Sequence, residues 1–254
     1  RDLMIRMALM GLNLVMLYTE DTYEVHDEPF FGYLRGPYTQ EELRELDEFA
    51  EIMGIEIVPC IQTLGHLEQI LQWPCYQKYR DTERILLAQH PDTYTFIEKM
   101  IDAATEPVRT DRIHLGMDEA HGLGQGQYKA LFGEKRAFDV LNQHLQQVLE
   151  ICRKRGLKPI IWSDMYFRLG SEKNDYYDLD ATVPQDVIKD IPADVQLVYW
   201  DYYHTDPAFY ETMIDMHRKL GKEPVFAGGG WTWNHFWANL PFANTVTDAA
   251  MAAV

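Results

Sequence analysis

Short apolar runs alternate with amphipathic helical stretches along the chain, and this alternation constrains the fold most strongly. The runs share a high content of Val, Ile, Leu and aromatic residues, and they occupy residues 12–18, 56–61, 112–116, 159–162, 196–200 and 224–227. Several are continuously apolar, as expected for parallel strands buried on both faces. Strand and helix repeating with short connections predict a parallel sheet.

The intervening stretches carry helical signals. Apolar residues recur at helical spacing in residues 39–53, where Thr39 and Glu42 form a capping-box pattern and Gly54 follows as a stop. Further helices are predicted by the same signals at residues 1–10, 91–105, 140–155 and 207–220. Residues 166–192 lack clear strand character and predict an elaborate loop with some helix.

The length of the chain fits one barrel domain. It has 254 residues, of which 46% are hydrophobic, and a parallel α/β barrel takes about 250 residues. We therefore predict an α/β fold, a (β/α)8 TIM barrel in a single domain over residues 1–254, with one or two strands outside this chain or unrecognised. A doubly wound open sheet is the alternative, but no Gly-x-Gly-x-x-Gly follows the first strand.

The net charge and the cysteine content indicate which binding partners and which cellular compartment to expect. The net charge of −17 argues against nucleic acid and against an anionic membrane surface, since both attract basic patches. No apolar run reaches the roughly 18 residues that cross a bilayer. Cys60, Cys75 and Cys152 are odd in number and widely spaced, which predicts neither a disulfide framework nor a zinc motif. Free thiols indicate a reducing, cytoplasmic location.

Chemistry-bearing residues follow nearly every predicted strand. In parallel barrels the active site is built at the C-terminal ends of the strands. Acidic groups, His and aromatic residues fill these positions, namely residues 19–21, 62–66, 117–121, 163–166, 201–204 and 228–235. The coincidence across separate segments predicts a functional site at this end of the sheet.

Two adjacent carboxylates, Asp118 and Glu119, are the sharpest of these features. Repulsion and desolvation at a strand end are expected to raise the pKa of one of them, which would then serve as a general acid. Glycoside cleavage needs such an acid beside a second group that stabilises an oxocarbenium-like centre. Taken alone, an Asp-Glu pair at a strand end is more often a solvated acidic pair.

Aromatic and metal-binding patterns leave alternatives open. Trp residues stand at or just beyond three strand ends, where they could stack on sugar rings or pack in the core: Trp162, Trp200, Trp231 and Trp233. His66 could tune an acidic residue or be structural. A metallohydrolase could draw ligands from Glu20, Asp21, His66, Asp118 and His121, although no spacing typical of a metal motif supports it.

At these residues the chain resembles glycoside hydrolase family 20, the β-N-acetylhexosaminidases. Residues 113–120 resemble the family's His-x-Gly-x-Asp-Glu signature, with Met117 where Gly is usual. Residues 38–43 and 54–59, followed by Gly65 and His66, resemble its second helix and third strand, but Cys60-Ile61-Gln62 replaces the common Glu-x-Asp. Residues 18–21 match the end of its second strand. The departures are similar to the hexosaminidase D branch.

The resemblance implies a TIM barrel whose first strand lies upstream of Arg1, and exo-cleavage of terminal N-acetylhexosamine with retention through the substrate's own acetamido group. Asp118 would orient that group, and Glu119 would protonate the leaving oxygen and then activate water. The implied substrate-binding residues are Trp162, Trp200, Asp201, Tyr202, Trp231 and Trp233, and the implied supporting residues are His66, Glu20 and Asp21. The implied partner is a glycan, with no metal and no cofactor. A carbohydrate-binding barrel without turnover and a metal-dependent hydrolase are the alternatives.

Overall fold

The computed structural model describes residues 1–233 and 236–254. Asn234 and His235, which end the last predicted strand-end segment, lie outside the described residues. The chain divides into two compact units, Arg1–Ile160 and Ile161–Val254, and each is described by itself.

Six strands hydrogen-bond in the order in which they occur along the chain. They are β1 Leu14–Glu20, β2 Glu56–Ile61, β3 Arg112–His114, β4 Lys158–Trp162, β5 Gln196–Trp200 and β6 Val225–Ala227. In the first unit β1, β2, β3 and the start of β4 pair in parallel, and in the second unit β5 pairs in parallel with β6. The predicted parallel α/β architecture is confirmed.

Helices separate the strands. They are α1 Asp2–Leu9, α2 Gln40–Ile52, α3 Glu68–Leu71, α4 Pro91–Thr105, α5 Gln127–Phe132, α6 Ala137–Lys154, α7 Asp164–Gly170, α8 Gln185–Lys189, α9 Pro207–Lys219 and α10 Leu240–Ala253, with a 3₁₀ helix at Pro74–Tyr79. Helices α3, α5 and α10 and the 3₁₀ helix were not predicted. Within the described residues, no helix combines the length and the apolar character needed to cross a membrane.

Helix α2 shows how local sequence sets an element. The Thr39 side chain accepts from the Glu42 amide and the Glu42 carboxylate accepts from the Thr39 amide, so the predicted capping box forms. The helix ends before Gly54, whose φ of +69° suits a residue without a Cβ. Ala50 then packs with Met4, Ile55 and Ile57 in a buried apolar cluster of the first unit.

Among the predicted boundaries that differ from the structure, two lie at the C-terminal ends of strands. The strand predicted at 112–116 ends at His114, because Gly116 and Met117 take φ values of +72° and +73° that no strand accommodates. The first strand ends at Glu20 rather than at residue 18, so Glu20 belongs to β1. Residues 166–192 contain the end of α7 and all of α8, in agreement with the loop-and-helix prediction.

Candidate active site

The turn after β3 presents Asp118 and Glu119. Their side chains are 17% and 33% exposed, so both reach solvent from a largely buried turn. The backbone around them is unusual, because the non-glycine residues His66, Met117 and Glu119 have φ values of +55°, +73° and +47°. Left-handed conformations cost about 1–3 kcal/mol each and cluster at functional sites. The tight turn therefore marks this position as one held for a purpose other than stability.

His66 connects the two carboxylates. Its Nε2 lies 3.1 Å from Asp118 Oδ2 and 3.4 Å from Glu119 Oε2. Its Nδ1 lies 2.9 Å from the Arg84 guanidinium, which can only donate. Nδ1 must therefore accept, and Nε2 carries the proton that it shares with the carboxylates.

The charges around His66 oppose one another. The hydrogen bond to Asp118 raises the pKa of His66, whereas burial and the Arg84 guanidinium lower it, and the net direction is upward. The Arg84 contact nevertheless favours the neutral ring, since an imidazolium would point a second N–H at a guanidinium. For Asp118, burial acts to raise the pKa, but hydrogen bonds from His66 and Gln62 outweigh it and the pKa is lowered. The upward shift expected for one member of the pair is therefore not found at Asp118.

A hydrogen-bonded chain leads from Asp118 to the end of β1. Gln62 Nε2 donates to Asp118 Oδ1 at 2.8 Å and to the Tyr18 hydroxyl oxygen at 3.2 Å. The Tyr18 hydroxyl in turn donates to Glu20 Oε1 at 3.0 Å. The predicted supporting residue Glu20 thus reaches Asp118 through two intermediates.

Asp21 and Arg35 extend this polar group. Asp21 is buried, and its Oδ1 lies 3.1 Å from Arg35 Nε. Burial raises the pKa of Asp21 although Arg35 opposes that effect. Arg35 also lies 3.3 Å from Glu20, so the two predicted acidic supports are joined by one guanidinium rather than by His66.

Two glycines allow the loops to approach one another. A Cβ on Gly65 would lie 2.6 Å from the Asp118 carbonyl oxygen. A Cβ on Gly116 would overlap the Gln62 amide and lie 2.7 Å from the Ile61 carbonyl oxygen. Real Cβ atoms do not approach backbone oxygens so closely, so both positions require glycine.

We expect Gly116→Ala to destabilise the protein more than Gly54→Ala does. Both glycines have left-handed φ, +72° and +69°, so each alanine costs about 1–2 kcal/mol from the backbone. A Cβ on Gly54 meets open space, whereas on Gly116 the overlap adds about 1–3 kcal/mol. Urea unfolding of the matched pair measures the difference. Equal losses would show that the turn relaxes freely around residue 116.

The second unit gathers aromatic side chains after β5 and β6. Tyr202 stacks on Trp200 at 5.4 Å between ring centroids and meets Trp233 edge-on at 4.9 Å. Trp231 stacks on Trp233 at 5.5 Å, and its indole N–H donates to the Tyr202 carbonyl oxygen at 2.6 Å. Four of the predicted aromatic residues therefore lie in one cluster, of which Trp200 is 9% and Trp233 49% exposed. Trp162, at the end of β4, is half-buried.

The position of Asp201 does not suit a residue that contacts a ligand. It has no exposed surface. Its carboxylate accepts from the Tyr199 hydroxyl at 2.7 Å, from the Tyr203 amide at 2.9 Å and from His204 Nδ1 at 2.8 Å. These bonds hold the turn after β5, so we assign Asp201 to support of the aromatic cluster rather than to contact with a sugar.

Comparison with known proteins decides the family. Residues 15–212 match glycosyl hydrolase family 20, catalytic domain. The chain belongs to glycosyl hydrolase family 20. The family predicted from the residues is therefore confirmed.

Individual relatives agree with this family 20 assignment. Hexosaminidase D of Bos taurus is 24% identical over 249 residues, which cover 92% of this chain and 64% of that protein. The β-N-acetylhexosaminidase of Bacteroides fragilis NCTC 9343 has a TM-score of 0.65 at 20% identity, covering 91% of this chain and 46% of that one. A Vibrio harveyi exo-β-N-acetylglucosaminidase in complex with N-acetylglucosamine has a TM-score of 0.67 at 18% identity, covering 91% and 38%. The predicted fold is thus confirmed as a partial TIM barrel with six parallel strands, in a chain that spans less than two thirds of these relatives.

Four residues of the polar network were given no role by the sequence: Tyr18, Gln62, Arg35 and Arg84. Tyr18 and Gln62 stand at predicted strand ends. Arg35 and Arg84 lie in loops distant in sequence, and no local pattern identifies them. Among residues 1–233 and 236–254, no group of three or more His, Cys, Asp or Glu is placed to hold a metal ion.

A cavity of about 910 Å³ lies elsewhere in the first unit, lined by the loop after β1 and by α4. Neither Asp118 nor Glu119 lines it. We therefore centre the candidate site on the carboxylate turn, where charge, buried hydrogen bonds and backbone strain coincide, rather than on this cavity.

Proposed function

We propose that this domain is an exo-acting, retaining β-N-acetylhexosaminidase that removes terminal β-linked N-acetylglucosamine or N-acetylgalactosamine from glycans. The observation that carries the proposal is the geometry of Asp118 and Glu119 in a family 20 domain. Asp118 is held ionised by two donors, while the neighbouring Glu119 is twice as exposed. One carboxylate is suited to stabilise positive charge and the other to exchange protons.

The arrangement favours participation by the substrate. Asp118 and Glu119 are adjacent residues of one turn and contact the same His66 nitrogen, whereas the two carboxyl groups of conventional retaining glycosidases flank the glycosidic bond. In our proposal the acetamido oxygen attacks the anomeric carbon and forms an oxazolinium ion as the leaving oxygen departs. Asp118 stabilises the developing charge on the acetamido nitrogen. Glu119 protonates the leaving oxygen and then takes a proton from the water that opens the ring.

The aromatic residues have an apolar role in this proposal. Trp200, Tyr202, Trp231 and Trp233, together with Trp162, are sugar-binding residues in this proposal, because aromatic faces match C–H surfaces. The Tyr202 hydroxyl would be a hydrogen-bond donor to the sugar. The N-acetylglucosamine in the Vibrio harveyi relative supports a sugar of this class as the ligand.

The test compares aryl β-N-acetylglucosaminide and β-N-acetylgalactosaminide with plain aryl β-glucoside, each with and without a thiazoline mimic of the oxazolinium ion. We expect cleavage of the acetamido sugars alone and inhibition by the thiazoline. Cleavage of the plain glucoside would replace the proposal with a two-carboxylate mechanism. Sugar binding without any cleavage would identify a carbohydrate-binding barrel.

We expect Asp118→Asn to lower kcat on the order of 10² to 10³-fold for every leaving group. The amide cannot stabilise the positive charge that develops on the acetamido nitrogen, and loss of one preorganised electrostatic partner has this magnitude. The measurement is kcat for a series of aryl N-acetylglucosaminides of different leaving-group pKa. Near-normal rates would eliminate the substrate-assisted mechanism.

A further inference from the structure

Both polar atoms of the Gln62 side-chain amide form hydrogen bonds with neighbouring residues. Gln62 follows β2 directly and has no exposed surface. The Met117 amide donates to its Oε1 at 3.3 Å, and its Nε2 donates to Asp118 Oδ1 and to the Tyr18 hydroxyl oxygen at 2.8 Å and 3.2 Å. The orientation is unambiguous, because a backbone N–H only donates and a carboxylate only accepts.

Both carboxylate oxygens of Asp118 are thereby held by hydrogen bonds. Gln62 holds Oδ1 and His66 holds Oδ2, which prevents rotation of the carboxylate plane. Two donors and the absence of a bound proton leave further lone pairs free for a ligand, since a carboxylate offers about four acceptor positions. These two hydrogen bonds therefore orient the Asp118 carboxylate and leave it able to bind a ligand.

The neutrality of the Gln62 amide matters because Asp118 already lies among several titratable groups. His66 and Glu119 face it from its own end of the sheet, Tyr18 from β1, Cys60 from β2 and His114 from β3. An added carboxylate at position 62 would lie about as close to Asp118 as the amide does now. Like charges at such separation cannot both ionise freely, so one proton would be shared.

We propose that Gln62 is the positioning residue of Asp118, a neutral donor that fixes the carboxylate plane and keeps it ionised for the acetamido group. The assignment rests on the proposed function for its catalytic meaning. Its structural part, control of the ionisation and orientation of Asp118, stands on the three hydrogen bonds alone.

Gln62→Glu gives a test that a merely structural role would not pass. The introduced carboxyl group, when protonated, still donates to Asp118, whereas its ionised form repels Asp118. With an aryl N-acetylglucosaminide of good leaving group, which needs little help from Glu119, we expect kcat near the wild-type value when the pair of carboxyl groups holds one proton. Above the pKa of the pair, kcat should fall about tenfold per pH unit. A pH profile that matches the wild type would overturn the proposal.

Gln62→Leu removes both side-chain N–H donors and replaces the amide with an apolar side chain of similar size. We expect kcat to fall about 10²-fold at every pH, as misplacement of a reacting group by about 1 Å does, with no new alkaline limb. Tyr18→Phe is the matched control, because it removes a partner of Gln62 but leaves the bond to Asp118, and its loss should be much smaller. Equal losses in the two variants would overturn the assignment.

A second readout separates this inference from the proposed function. The pKa of Asp118, followed by the ¹³C shift of its carboxyl carbon, should rise in Gln62→Leu and stay near the wild-type value in Tyr18→Phe. If the wild-type protein cleaves no acetamido glycoside, the proposed function fails while this titration still decides the role of Gln62. An unchanged pKa in folded Gln62→Leu would refute that role even in an active enzyme.

Discussion

Replacement of Glu119 by Gln is expected to lower kcat on the order of 10² to 10⁴-fold for substrates with poor leaving groups. The variant keeps the size of the side chain and its contact with His66 but has no acidic proton for the departing oxygen. Substrates with very good leaving groups should lose least in the first step, since their oxygen needs little protonation. Steady-state kinetics over a graded series of aryl N-acetylglucosaminides measures the effect.

The interpretation needs a control for carboxylate loss as such. Glu211→Gln removes an exposed carboxylate on α9 and should leave kcat unchanged. If Glu119→Gln loses the same factor with every leaving group, Glu119 is not the general acid, and its exposure and contact with His66 would need another explanation.

Acidification is expected to unfold the protein well above the pKa of ordinary carboxyl groups. His114, His144 and His217 have no exposed surface, and burial lowers the pKa of each to about 4. The hydrogen bonds of two of them agree with neutral rings. His114 Nδ1 accepts from the Gly116 amide, and His144 Nε2 donates to the Thr63 carbonyl oxygen at 2.9 Å while its Nδ1 lies 3.3 Å from the Tyr94 hydroxyl.

The sign and size of the effect follow from proton linkage. Between pH 6.5 and 4 the unfolded chain protonates these histidines while the folded chain does not, so stability falls as the pH falls. Each group contributes about 3 kcal/mol over that range, and the three together contribute about 10 kcal/mol. This sum is comparable with the whole stability of a typical domain, about 5–15 kcal/mol. The lowered pKa of Asp118 acts in the same direction at lower pH, whereas the raised pKa of His66 acts in the opposite one.

Urea unfolding between pH 7.5 and 5 measures this linkage. Near pH 5 unfolding should take up nearly three protons, which corresponds to about 3.5 kcal/mol per pH unit. His26→Gln is the control, because the His26 side chain is 96% exposed and its replacement should leave the slope unchanged. A stability that stays constant from pH 7 to pH 5 would contradict neutral, buried histidines.

The sequence was sufficient for the parallel architecture because hydrophobic periodicity is a property of single segments. Strands β2 and β5 and helix α4 were predicted at their observed bounds, and the other predicted elements within a few residues. Helix α10 was missed although Asn239 caps it and Pro241 lies in its first turn, two signals that could have found it. Its apolar residues are mostly Ala, which made the amphipathic pattern weak.

The site was only partly predictable for a different reason. Asp118, Glu119 and His66 were recognised by resemblance, and the structure brings them together. The left-handed backbone at Met117 could not be predicted from its residue type. The role of the Gln62 amide depends on its hydrogen bond to Asp118, which lies 56 positions away in the sequence. Asp201 looked like a ligand-binding carboxylate after a strand, but its neighbours Tyr199, Tyr203 and His204 occupy it.

Pairing of the strands in chain order has a consequence for synthesis of the protein. Each new strand hydrogen-bonds to the strand made just before it, so its closing loop spans one strand–helix repeat. Loop-closure entropy grows only slowly with such lengths, and β1 can pair with β2 as soon as Ile61 leaves the ribosome. The nascent chain can therefore add strands one at a time to a single growing edge of the sheet. This shortens the period in which unpaired apolar strands could contact other chains.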